Sequence, residues 1–130
     1  MRHKVEGRTL GREKGHRQAL IRNLVIALVK HDRIETTHTR ALEARKVAER
    51  LITYGKKGTL HSQRLIYDVV RDRDLVKKVM DEIVPQLNDR NGGYTRVLKK
   101  GFRKGDGAPV SIMEWVYHIQ PEPEKKDKDS

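Results

Sequence analysis

Residues 16–31, HRQALIRNLVIALVKH, decide how the rest of the chain is read. Leu20, Leu24 and Leu28 recur every four residues, and Ile21, Val25 and Val29 form a second row beside them. That spacing predicts a broad apolar stripe on an α-helix. From Leu24 to Val29 every residue is apolar, so the helix is expected to be nearly surrounded by protein. It is too short and too closely flanked by charge to cross a bilayer. Upstream the character reverses, with Arg2, Lys4, Arg8, Arg12 and Lys14 and almost nothing apolar. The pattern predicts a buried helix that anchors the root of a basic arm.

The rest of the chain divides around that helix into an arm (residues 1–15), one globular domain (16–118) and a charged tail (119–130). A chain of 130 residues can bury about two thirds of its unfolded surface in a single core. Lys and Arg number 29 against 18 Asp and Glu, a net charge of +11. Such an excess points to a polyanion, because every neutralised phosphate releases condensed counterions. Without cysteine there are no disulfides and no thiolate metal sites. No signal-peptide pattern opens the chain, and no run approaches a membrane span, so a soluble intracellular protein is expected.

Along the chain, glycines at 7, 11 and 15 among cations suggest an extended arm that orders on RNA or DNA, with a floppy terminus as the plain alternative. Arg33 to Thr37 is β-branched and alternating, which suits a short strand or an extended connection. Thr36 or Thr37 is placed to cap a helix over about 39–57, with Ala41, Ala44, Val47, Ala48, Leu51 and Ile52 on its apolar side. Lys56, Lys57 and Gly58 close that helix. Thr59 can start a third helix carrying Leu65, Ile66, Val69 and Val70. Asp72 or Asp74 can cap a fourth, whose stripe is Leu75, Val76, Val79, Met80, Ile83 and Val84, and which Pro85 ends or kinks. After Asn91-Gly92-Gly93 the period changes to two. Tyr94 to Lys99 and Val110 to Val116 then read as a hairpin with a cationic, glycine-rich bend.

The chemistry available to such a chain is narrow. The six histidines never form the His-x-x-x-His pair of a helical zinc site, so no metal is expected. Instead His3 and His16 stand beside arginines as extra donors to phosphate or base, or as plain surface residues. Asp72/Asp74 and Asp81/Glu82 could hold magnesium for a nuclease, but capping and surface salt links explain them in the least basic part of the chain. No nucleophile elbow or phosphate-binding loop is present, and neither an enzyme, a cofactor nor a small-molecule substrate is expected. Two cationic segments remain, residues 2–22 and 94–104. The second carries Arg96, Lys99, Lys100, Arg103 and Lys104 with no acid before Asp106. Tyr94 and Phe102 interleave aromatics there, as stacking surfaces for an unpaired base or as core members of the strand.

These segments also carry a likeness. Met1-Arg2-His3-Lys4, Gly7-Arg8-x-Leu10-x-Arg12, His16-Arg17-Gln18-Ala19 and Arg33-Ile34-Glu35-Thr36-Thr37-x-x-Arg40-Ala41 resemble the bacterial large-subunit ribosomal protein L17 family. So do Gly92-Gly93-Tyr94-Thr95-Arg96-Val97-Leu98 and Gly105-Asp106-Gly107-Ala108-Pro109, in order over about residues 1–117. The chain departs from the family pattern at Gly11, Lys14, Gly15 and Leu42. The resemblance implies a two-layer α+β fold, with about four helices on a small sheet made of the 33–37 strand and the C-terminal hairpin. It implies a non-enzymatic cytoplasmic protein of the ribosome, binding large-subunit rRNA near the peptide exit tunnel beside neighbouring ribosomal proteins; the alternative reading is a free-standing nucleic-acid-binding protein, such as a nucleoid factor or RNA chaperone. By that likeness Arg2, His3, Arg8, Arg12, His16, Arg17 and Arg22 would contact rRNA. Thr36, Thr37 and Arg40 match the family's central motif, and Tyr94, Thr95 and Arg96 its hairpin motif. Charge adds Lys4, Lys14, Lys99, Lys100, Arg103 and Lys104 to the expected RNA surface.

Overall fold

The computed structural model of the protein describes residues 14–117. The expectations for Arg2, His3, Lys4, Arg8 and Arg12, for the Lys14 side chain and for the tail 119–130 lie outside the described residues.

Helix α1 spans Lys14–His31 and so takes in two residues assigned above to the arm. Gly15 is tolerable there, because the first N–H groups of a helix have no intrahelical partner in any case. The buried face of α1 is Ile21, Val25, Leu28 and Val29. Leu24 and Ile26 are only half-buried, which corrects the expectation of a helix nearly surrounded by protein. Six consecutive residues point around the whole helix, and the neighbours cover one side of it.

A short strand β1 (Arg33–Thr37) leads directly into α2 (His38–Lys57). It is α2, not α1, that most other elements pack against: α1, α3, the fourth helix and all three strands touch it. Its buried side is mostly small, with Ala41, Ala44 and Ala48 beside Leu51 and Ile52, so neighbouring backbones come close. Thr37 occupies the N-cap position but its side chain makes no capping bond. Pairing of Thr37 with Val110 keeps it in the strand. Gly58 closes α2 in the left-handed conformation, at φ 66°, where a side chain would strain the backbone.

The remaining helices follow their local signals. Thr59 and Ser62 bond each other's backbone N–H at 3.0 Å, a capping box for α3 (Leu60–Val70). Asp72 caps α4 (Arg73–Lys78) by accepting from Asp74 N at 2.8 Å. That helix does not end before Pro85. It widens into a π-helical turn (Val79–Ile83), with Val84 N–H bonded to Val79 O, and continues as α5 (Val84–Leu87). A proline ring removes one N–H and crowds the carbonyl a turn earlier, and a wider turn relieves both.

Gly55 of α2 makes room for this fourth helix. A Cβ placed on it would lie 2.5 Å from Val84 Cγ2, a branched and stiff side chain. Gly55→Ala is therefore expected to cost about 1–3 kcal/mol in overpacking, more than the roughly 1 kcal/mol that alanine's helix propensity returns. Urea denaturation should show a lower midpoint, and adding Val84→Ala should recover part of it. A raised midpoint in the single variant would mean that the fourth helix yields freely.

Strands β2 (Thr95–Phe102) and β3 (Pro109–Trp115) form the hairpin, and the sheet is antiparallel in the order β1-β3-β2. The α+β architecture expected from the sequence is the one observed. Met113, Trp115 and Ser111 are buried on the side facing α2. The opposite side carries Arg33, Glu35, Arg96 and Leu98, all partly or well exposed.

Candidate nucleic-acid interface

The exposed side of the sheet is built on one cross-strand row. Arg33, Glu114 and Arg96 stand in register on β1, β3 and β2. Glu114 is 1% exposed. Arg33 Nε lies 3.4 Å from one of its carboxylate oxygens and Arg96 Nε 3.0 Å from the other. Arg96 also donates to Val116 O at 3.3 Å. The expected RNA contact Arg96 is thus held by the sheet, with part of its guanidinium still facing water. Arg33 joins it, although the local sequence pattern does not single it out. Only the register puts Arg33 across from Glu114.

At the hairpin's root Tyr94 and Thr95, expected as RNA contacts, are 5% and 3% exposed. Glu49 of α2 accepts from Tyr94 N at 3.1 Å and from Thr95 N and Oγ1 at 2.8 Å each. Lys56 sits 4.8 Å from the Tyr94 ring centroid and donates to its hydroxyl at 3.1 Å. These bonds dock the start of β2 on α2.

Beyond the root, the structure brings distant segments together. Thr36 and Thr37 of β1 line a cleft of about 390 Å³ with Lys100, Phe102, Arg103 and Lys104 of the hairpin. Lys100 pairs with Glu35 at 2.9 Å, although the two are 65 residues apart in sequence. Arg103 Nε donates to Asp106 at 3.2 Å across the bend. That bond, with help from Ala108 N–H, lowers the Asp106 carboxyl to about 2, and the Arg103 guanidinium is raised in turn. A depressed carboxyl holds its pairing above the ordinary carboxylate range and loses it as the pH falls towards 2, so the bend stays clamped at neutral pH. Lys99 and Lys104 have no acidic partner among the described residues, and neither has Arg40 on the first turn of α2.

A second cleft, of about 550 Å³, lies between α1, α2 and α3. It joins Arg17 and Arg22 to Lys46 and Arg50, two cations of α2 not expected at the RNA surface from the sequence. Their spacing of four residues on α2 was the available signal. His16 is exposed near the start of α1. A third groove, of about 880 Å³ between α3 and α4, mixes both charges with Leu60, Tyr67 and Met80. Among the described residues no group of three His, Cys, Asp or Glu side chains is placed to hold a metal. No helix there is long and apolar enough to cross a membrane.

The family model for ribosomal protein L17 matches residues 20–116. A protein of Thermodesulfovibrio yellowstonii named "Large ribosomal subunit protein bL17" is 50% identical over 129 residues, covering 99% of this chain and 96% of the relative. One of the same name from Fusobacterium nucleatum is 51% identical over 116 residues, covering 89% of this chain and all of the relative. Another from Geobacter metallireducens is 46% identical over 128 residues, covering 98% of this chain and 72% of the relative. With motifs, fold and near full-length identity in agreement, this chain belongs to the ribosomal protein L17 family.

Proposed function

We propose that this protein binds large-subunit rRNA near the outer end of the peptide exit tunnel, in cytoplasmic ribosomes and beside neighbouring large-subunit proteins. Its family is one of structural ribosomal components rather than enzymes. The observation that carries the rRNA reading is the cleft where Thr36 and Thr37 meet Lys100, Arg103 and Lys104 from the far end of the chain. Cations and hydroxyls without a deep apolar pocket suit phosphate and ribose. Lys99, Lys104, Arg40, Arg22 and Arg50 supply charge not already neutralised within the described fold. Arg17 and His16 extend the surface along α1, and the arm residues Arg2, His3, Lys4, Arg8, Arg12 and Lys14 are proposed as further rRNA contacts. Phosphate contacts would set position, and RNA shape would set most of the specificity, because the A-form major groove is too narrow for side chains to read.

Replacing Lys99 and Lys104 together by Ala should weaken binding to large-subunit rRNA about equally for matched and mismatched sequences. The log–log dependence of affinity on salt should flatten by roughly 0.7–0.9 for each phosphate that the variant no longer neutralises. Lys100 is the weaker choice for this test, since Glu35 already neutralises it. Titrations across a salt series, with co-sedimentation of the full chain with large subunits in high salt, decide the matter. An unchanged slope, or free protein left in the supernatant, would overturn the reading.

A further inference from the structure

Phe102 is the chain's one phenylalanine, and it is 78% exposed. Phenylalanine is ordinarily among the residues that gain most from burial, so an exposed one next to a cleft asks for a partner. Its placement follows from the sheet. The β2–β3 register shifts between Lys99 and Gly101, and Gly101 there has φ 147°, a conformation that favours glycine. Bulges of this kind re-aim the side chains that follow them. After it Phe102 pairs with Pro109, one row beyond Thr37 and Val110, where β1 stops. The row of Phe102 therefore has no third strand, and the missing strand leaves the cleft, with the ring on one wall and Thr36 and Thr37 on the other.

The cleft's charge selects the partner. Lys100, Arg103 and Lys104 line it against one acid, Glu35, which Lys100 neutralises. An apolar protein segment would leave those cations desolvated against it, whereas an aromatic base attached to phosphate satisfies ring and cations together. We propose that this cleft takes one unpaired nucleotide of the bound RNA, its base stacked on Phe102 and its flanking phosphate held by Lys104 and a threonine hydroxyl of β1. The proposal rests on the rRNA-binding reading above. A paired base is stacked within its own helix and cannot offer its face to the ring. The threonines are the lining's only neutral hydroxyl donors, so stacking should dominate and base preference should be slight.

The test uses the full chain and two RNA hairpins, identical except that one carries a single bulged 2-aminopurine. Wild-type protein should bind the bulged hairpin more tightly and change its fluorescence. Phe102→Ala should weaken binding to the bulged hairpin by roughly tenfold and leave the fully paired one unchanged. Phe102→Trp should restore it. The side chain is exposed, so its truncation leaves no cavity, and circular dichroism should be unaltered. Equal affinities of wild type and Phe102→Ala for the bulged hairpin would overturn the stacking proposal alone and assign the ring to a protein contact. Failure of the wild type to bind either hairpin, or large-subunit rRNA, would overturn the parent reading and this proposal with it.

Discussion

Glu114→Ala is expected to lower the unfolding free energy by about 3 kcal/mol, near the low end of the range for breaking a buried ion pair. Glu114 is almost fully buried, and it separates two guanidiniums that face each other across the sheet. Removing it leaves Arg33 and Arg96 as like charges on the two strands that flank β3, with a small cavity between them. Both arginine side chains are 40% exposed, so water recovers part of the loss, which keeps the figure from the top of the range. Arg33→Ala should cost much less, because Arg96 still compensates the carboxylate. Guanidinium denaturation of the two variants measures the difference. A loss under about 1 kcal/mol for Glu114→Ala would mean that the row is held by backbone pairing and not by charge. RNA binding should fall with it, since the carboxylate sets the direction in which Arg96 presents its remaining N–H groups.

Leu28→Asp should abolish the folded state. Leu28 is fully buried on α1 against a core that includes Leu51 and Ile52 of α2. An unpaired carboxylate there costs several kcal/mol, a large part of a total stability of roughly 5–15. The informative comparison is Leu24→Asp, in the same apolar run but only half-buried. Its side chain can turn towards water, so a folded protein with a lowered melting temperature is expected. Far-ultraviolet circular dichroism and thermal melts of both variants distinguish them. Equal behaviour would show that hydrophobic content along α1, rather than the side it turns to α2, determines stability.

What sequence alone determined here is mostly local. The helix start at Thr59, the Asp72 cap and the Gly58 terminator each involve groups within a few residues, and their hydrogen bonds are written in nearby letters. The change from helical to alternating period located the hairpin, and the excess of cations pointed to a polyanion. The family resemblance placed the 33–37 strand in the hairpin's sheet. Tertiary structure decided which side of each element matters. The centrality of α2 was hidden because alanines carry little hydrophobic signal, yet they allow the closest packing. That Glu49, some 45 positions away, accepts from Tyr94 and Thr95 is a tertiary fact of this kind. Lys100 lost its freedom to Glu35 in the same way, and Arg33 gained a place beside Arg96 through Glu114. Local hydrogen bonds close rings of fixed size, so spacing specifies them. A pairing across tens of residues exists only once strand register and helix rotation bring two side chains within about 3 Å, and no short stretch of sequence contains that information.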